Sequence, residues 1–383
     1  MKKLICILFC CCLLLTGCGD RTANTPQTAN VDYDVIVVGG DPEGVCAAVS
    51  SARNGLKTLL IEDDEALGGL MTLGKLNFID ICESRDGSIL TQGLFMEFYE
   101  GVGGTAFDVE KAKTFFYDWI TNEKNATLKL NTKFIAPVME DDCITGVVVE
   151  EENGEQVTYT AARIIDATVD ADVAAAAGAP YTIAGEDIGE RDRHMGVTLV
   201  FELSGVNWRK VSMHLNWQRF KAEVLKQGTA DMGATKKTAW GYTEEGYSYE
   251  PQDEMMRLRG FNIARQNNGN VLINALIIFG VDPLSEDSKT EGIARAQAEM
   301  EYLIPYIREN FKGFEKAELV KTAEQLYVRE SRHIVGEYQL TIDDVLENRD
   351  QWDKIAIGAY PVDVQPTATQ TYGTVIGSPD RYA

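Results

Sequence analysis

Tyr33-Asp34-Val35-Ile36-Val37-Val38-Gly39-Gly40-Asp41-Pro42-Glu43-Gly44 is the stretch that decides the fold. Its first half is an apolar, β-branched run, as a parallel strand buried on both faces requires. A glycine turn follows. Val45 to Asn54, rich in alanine, then reads as a helix stopped by Gly55. Thr58-Leu59-Leu60-Ile61-Glu62 supplies a second strand, and Glu62 stands 23 residues after Gly39, where a dinucleotide fold places its ribose-binding acid. Such a turn aims the free N–H groups and the positive end of the helix at a pyrophosphate. Gly39, Gly40, Gly44 and Glu62 are therefore candidate cofactor-binding residues. The plain alternative is an ordinary βαβ unit with a glycine turn.

Asp41 departs from the G-x-G-x-x-G pattern, because it occupies the middle glycine. That glycine lets the backbone approach the phosphates. At ~4 Å and an effective dielectric of ~20, a carboxylate there would be repelled by a phosphate charge by up to ~4 kcal/mol. Asp41 either faces the phosphates at that cost or turns away and caps the turn.

Downstream, Leu67-Gly68-Gly69-Leu70-Met71-Thr72-Leu73-Gly74 is a second glycine-rich loop. It resembles the flavin-side loop of FAD oxidoreductases and makes Gly68, Gly69 and Thr72 candidates. Asp86 to Tyr99 and Asp108 to Glu123 read as helices. Phe134 to Glu140, Ile144 to Glu151 and Gln156 to Thr160 read as a β-meander split by polar turns such as Glu152-Asn153-Gly154. A separate strand then ends in Asp166-Ala167-Thr168, a pattern typical of FAD domains. In the middle region, Val197 to Leu203 and Asn270 to Phe279 read as strands, and Asn207 to Gln227 and Glu286 to Phe311 as amphipathic helices. Trp240 to Tyr249 reads as a mobile aromatic loop, or as a pocket wall.

Composition excludes several classes. Lys+Arg total 36 against 59 Asp+Glu, a formal charge of −23, so a phosphate backbone is repelled and nucleic-acid binding is not expected. Leu4 to Leu15 is too short to span a bilayer, yet with Lys2 and Lys3 before it and Leu15-Thr16-Gly17-Cys18 after it, it matches a bacterial lipoprotein signal. Lipid attachment at Cys18 implies a bacterial protein anchored on the extracytoplasmic side of the cell membrane, with Gly19 to Val31 as a polar tether. A signal cut elsewhere or a buried N-terminal helix is the alternative. Of the eight cysteines, Cys46, Cys82 and Cys143 follow that site, with no Cys-x-x-Cys among them, so neither a metal nor an iron–sulfur cluster is indicated.

The chain resembles the FAD-dependent oxidoreductase family related to the heterodisulfide reductase A subunit, some members of which are named xanthan lyase. The resemblance rests on Val35 to Gly44 with Glu62 to Gly74, on Ile164 to Pro180, and on Val328 to Val364, which holds Arg329-Glu330-Ser331-Arg332-His333 and Gly358-Ala359-Tyr360-Pro361-Val362-Asp363. Val169 stands where relatives carry glycine. The resemblance implies an α/β fold: a Rossmann-like FAD-binding domain of glutathione-reductase type, with an inserted β-meander and an α+β substrate domain. The boundaries follow as 1–18 signal, 19–31 tether, 32–183 FAD-binding domain, 184–355 substrate domain, and 356–383 an incomplete return to the FAD domain. It also implies FAD as cofactor, with Asp166, Ala167 and Thr168 beside it. A small-molecule substrate and an electron acceptor of unknown identity complete the reaction. Arg329, Glu330, Arg332 and His333 are candidate catalytic residues, since arginine clamps carboxylates and histidine moves protons near neutral pH; a structural ion-pair cluster is the alternative. Wider relatives carry iron–sulfur clusters, which the cysteines here do not support. In the family, a segment like Pro379-Asp380-Arg381-Tyr382 continues into a closing strand and a flavin-covering helix, so the resemblance implies a C-terminally truncated member, a missing piece supplied by a second chain, or a degenerate protein. The expectation is a lipid-anchored flavin oxidoreductase; a non-catalytic lipoprotein keeping the fold is the other reading.

Overall fold

The computed structural model describes residues 31–84, 86–191, 193–225, 231–355, 358, 360–370 and 373–377. The signal-like run, Cys18, nearly all of the tether and the Pro379–Ala383 end lie outside the described residues.

The first half runs β1 (Tyr33–Val38), α1 (Pro42–Arg53), β2 (Thr58–Ile61), α2 (Gly69–Thr72), α3 (Leu94–Val102), α4 (Val109–Thr121), β3 (Ala126–Lys129), β4 (Lys133–Glu140), β5 (Cys143–Glu150), β6 (Gln156–Asp166), α5 (Asp172–Ala176) and β7 (Tyr181–Ile183). Its six-stranded sheet has the order β3-β2-β1-β6-β5-β4. β3, β2, β1 and β6 are parallel, and β6, β5 and β4 continue the sheet antiparallel. Both faces are covered. Val35, Val37 and Leu60 pack with α1 and α4, while Ile36, Val38, Leu59 and Ile61 pack with Val147 and Val149 of the meander. This two-sided burial explains why β1 and β2 read as continuous apolar runs.

The second half runs β8 (Val197–Ser204), α6 (Trp208–Val224), β9 (Gly233–Ala234), β10 (Thr238–Gly241), α7 (Thr243–Tyr247), β11 (Met256–Arg265), β12 (Val271–Ile278), α8 (Glu286–Asn310), β13 (Glu318–Thr322) and β14 (Arg332–Ile334). Its antiparallel sheet has the order β13-β8-β12-β11-β10-β9, and a large core joins it to α8. The two halves are pinned together by a buried ion pair, Lys75 to Glu202 at 3.2 Å, and Glu202 also accepts from Asn270 at 2.7 Å.

Four sequence expectations are corrected. The third meander strand and the strand ending at Asp166 are one element, the 11-residue β6, which pairs with β5 over its first half and β1 over its second. The helix expected from Asp86 begins only at Leu94, because Asp86 accepts from the Ser88 N–H and the Ser84 hydroxyl, a local turn that competes with helix. The second glycine loop contains a helical turn, α2. Trp240 to Tyr249 is no loop: it forms the end of β10 and α7, and Tyr242 is buried against Phe311 and Phe261.

Candidate functional site

Register builds the site. Val38 lies level with Ile61 on one side and with Asp166 on the other, so Gly39, Glu62 and Ala167 leave the sheet side by side at one edge. β1 sits between strands reached in opposite directions along the sheet, the switch point where open α/β sheets bind ligands. The turn is compact. Gly39 has φ +100°, and a Cβ there would stand 2.3 Å from the Ala167 carbonyl oxygen; a Cβ on Gly44 would stand 1.9 Å from the Gly39 carbonyl oxygen. Pro42 opens α1, whose N-terminus receives no side-chain cap, so its first-turn N–H groups face outward without a side-chain partner.

Glu62 is buried, and its carboxylate accepts from the Gly40 N–H and, at 2.9 Å, from the Asp64 N–H. Burial pushes its pKa up to about 7 against the opposing pull of those two bonds. Asp41 is pushed up to about 7 as well, by burial first and then by Glu43, Glu62 and Asp64. Its carboxylate does not cap α1; it lies against Gly69, where a Cβ would overlap it. No cap bond from Asp41 to α1 is formed, so the carboxylate holds the helix start by no such bond.

These residues open into a cleft of about 1110 Å³, lined by Gly39, Gly40, Asp41, Glu62, Ala167 and Thr168 on one side and by Arg329, Glu330 and Arg332 on the other. Two hydrogen bonds bring the second group in: Gln325 Nε2 donates to Asp64, and the Glu324 N–H donates to the Leu73 carbonyl at 3.2 Å. Arg329 lies with its guanidinium carbon 4.2 Å from the centre of the Tyr327 ring, and donates to the Gly196 carbonyl at 3.2 Å and Thr198 Oγ1 at 3.0 Å. Burial lowers its pKa to about 10. Arg332 bonds the Asp170 carbonyl and Asp172, both at 2.6 Å. Glu330 accepts from the Met195 N–H at 2.9 Å.

The other candidates lie behind the cleft. His333 sits on β14 with Nδ1 3.5 Å from Asp187 and Nε2 3.9 Å from Glu330. Asp166 ties its own turn, accepting from Thr168 N–H and Oγ1 and from the Ala174 N–H. Thr72 Oγ1 donates to the Leu67 carbonyl at 2.7 Å, and Gly68 packs against Phe116. Sequence reading missed Lys133, Lys289 and Tyr181, which also line the cleft; surface cations and a strand tyrosine carry no motif that would single them out. Among the described residues, no group of three or more His, Cys, Asp or Glu is placed to hold a metal ion.

The parallel sheet, the uncapped helix behind a tight glycine turn and the acid at the next strand end define a dinucleotide-binding α/β protein of the flavoprotein type. The chain belongs to the FAD dependent oxidoreductase family, which it matches over residues 34–383. A pseudooxynicotine dehydrogenase from a Pseudomonas species is 45% identical over 58 residues, 15% of this chain and 12% of that protein. A digeranylgeranylglycerophospholipid reductase from Methanospirillum hungatei is 28% identical over 137 residues, 31% of this chain and 34% of that protein. The chain thus spans about a third or less of these curated relatives. A solved geranylgeranyl bacteriochlorophyll reductase-like protein from Thermoplasma acidophilum superposes with a TM-score of 0.44 at 15% identity, covering 76% of this chain and 65% of that one.

The residues present fit FAD. The cleft is above the ~300–1,000 Å³ common for small-ligand sites, as a dinucleotide requires. The glycine turn leaves the uncapped N–H groups of α1 open to a diphosphate, and Glu62 stands one strand away. Asp41 opposes the fit, and burial, which raises its pKa, favours its neutral form and so reduces the opposition.

Proposed function

We propose that the chain binds FAD in this cleft and oxidises or reduces a small molecule there. The observation that carries the reading is convergence: residues 39–41 and residues 329–332, far apart in sequence, line one cleft. Bound flavin supplies hydride transfer. The α1 N-terminus holds the diphosphate, and Glu62 accepts ribose hydroxyls. Arg329 offers positive charge to an anionic group, from a position fixed by Thr198 and Tyr327. Arg332 is locked on Asp172 and keeps the Asp170–Asp172 turn in place. Glu330 lines the cleft with His333 behind it, its Nε2 3.9 Å from the Glu330 carboxylate. The block from Arg329 to Tyr338 supports a place near the heterodisulfide reductase A relatives.

Titration of the purified protein with FAD is the test. A bound flavin band with quenched fluorescence is expected; absence of binding at millimolar FAD would remove the reading and favour a non-catalytic protein, for which Asp41 in the phosphate cradle is the supporting feature. We further propose that Cys18 carries lipid on the outer face of the cell membrane, where an electron acceptor is reached. Fractionation of cells making wild type and Cys18→Ser decides this: the wild type should follow membranes and the variant should not, and identical partition would refute the anchor.

A further inference from the structure

Helix α6 is apolar on two opposite sides. One side fixes it to the antiparallel sheet through Val211 and Leu215, both buried, and through Trp208, whose indole N–H donates to the Thr235 carbonyl at 3.2 Å. On the other side Met213, Trp217, Phe220 and Val224 are each more than half exposed, as is Leu225 just past the helix end. Their spacing of four, three and four residues follows the helical repeat, so at ~100° per residue they form one stripe about 60° wide. The Trp217 and Phe220 rings stack with centres 5.7 Å apart. Single exposed apolar side chains are ordinary, but a contiguous strip of them marks a contact surface.

We propose that this face of α6 docks on the surface of an anionic phospholipid bilayer, with Trp217 and Phe220 among the headgroups and Arg209, Lys210 and Lys221 on the phosphates. The inference goes beyond the proposed function: it needs neither bound flavin nor a lipid on Cys18.

Charge selects this occupant. α6 holds four cations, Arg209, Lys210, Arg219 and Lys221, against one acid, Glu223, in a chain whose formal charge is −23. Around the helix Arg209 borders the stripe on one side, and Lys210 and Lys221 border it on the other. Lys210 meets Glu315 at 3.4 Å and Arg219 meets Glu223 at 2.9 Å, while Arg209 and Lys221 make no ion pair among the described residues. Basic residues flanking an aromatic and aliphatic stripe suit a helix lying in the plane of a membrane surface, with their stems along the apolar layer and their charged ends on the phosphates. Repulsion from acids elsewhere on the protein is screened beyond about 8 Å at physiological ionic strength. A second copy fits less well, because a two-fold interface would set this cationic face against itself. A protein partner also fits less well, since lysine is depleted from such interfaces. No described helix is long and apolar enough to cross a membrane, and α6, about 25 Å long, would lie along the surface.

The experiment is tryptophan fluorescence of the full chain mixed with vesicles of phosphatidylcholine, alone or with one third phosphatidylglycerol, each made with and without acyl chains brominated near the headgroup. The tryptophans are Trp119, Trp208, Trp217, Trp240 and Trp352, so binding through the N-terminal apolar run, which holds none, is silent. Brominated vesicles containing phosphatidylglycerol should quench the wild type. Trp217→Phe should remove most of that quenching, and Trp352→Phe, which changes the most exposed tryptophan, should keep it. The double variant Arg209→Gln, Lys221→Gln should lower the quenching about twofold or more with an unchanged melting temperature. No quenching would overturn the proposal and leave the face to a protein partner. Quenching that survives Trp217→Phe, or equal quenching by the two lipid mixtures, would also overturn it. A Trp217 emission that depends on protein concentration without vesicles would assign the face to a second copy instead.

Discussion

Gly44→Ala is expected to weaken FAD at least a hundredfold and to destabilise the protein by ~3 kcal/mol or more. The added Cβ would stand 1.9 Å from the Gly39 carbonyl oxygen and 3.1 Å from the Ala167 Cβ. Neither neighbour is a flexible side-chain tip. The first is the backbone of the turn itself and the second the end of β6, so relief comes only by opening the turn that presents the α1 N–H groups. Gly55→Ala is the control, since Gly55 ends the same helix at φ +85° and an alanine methyl there would meet nothing within 4 Å; its cost should stay near ~1 kcal/mol and FAD affinity should hold. Thermal melts and FAD titration of the three proteins read this out. A Gly44→Ala protein that binds FAD like wild type would show that the turn is not the phosphate site.

The second large effect is pH-dependent. Asp41 titrates at about 7 in the free protein, raised by burial and by the acids around it. FAD brings a negative diphosphate to that place, so binding favours neutral Asp41 and should weaken as pH rises through 7, with a limiting slope of about tenfold per pH unit. Between pH 6 and 8.5 the loss should reach roughly ten- to thirtyfold. Asp41→Asn keeps the shape without the charge and should abolish the loss. Glu62 is also raised to about 7, and its ionised form is the better acceptor of ribose hydroxyls, so any residual slope in Asp41→Asn should run the other way. Stability follows the same protons. Both carboxyls bind protons more tightly folded than unfolded, so the apoprotein gains stability from them below an unfolded pKa of ~4 and loses it as pH rises through 7. Its melting temperature should fall over that interval, and fall less in Asp41→Asn. A pH-independent FAD affinity in wild type would refute the repulsion.

The parts of this site legible in the sequence are those where one residue type answers one geometric need. Val35 to Val38 had to be a buried parallel strand because both faces are covered, and the glycines after it mark backbone that side chains would block. β6 was not legible as one strand because Ala161-Ala162 carries neither a turn signal nor alternation, and only pairing with β5 and then β1 makes the run continuous. Tyr242 read as surface because a short aromatic stretch beside glycines has no period; its hydroxyl donates to the Lys312 carbonyl at 2.6 Å, a contact 70 residues away. Arg329 stood out only through resemblance. Long-range packing of this kind leaves no local mark.

The most direct measurement is amide hydrogen exchange on the full chain with and without saturating FAD. Protection is expected in two separate segments together, residues 39–45 at the turn and α1 N-terminus and residues 327–332 on the facing wall, with Gly55 and α6, which lie outside the cleft lining, unchanged. Protection confined to one of the two, or located away from both, would contradict the claim that one cleft joins the glycine turn to the arginine segment around a flavin.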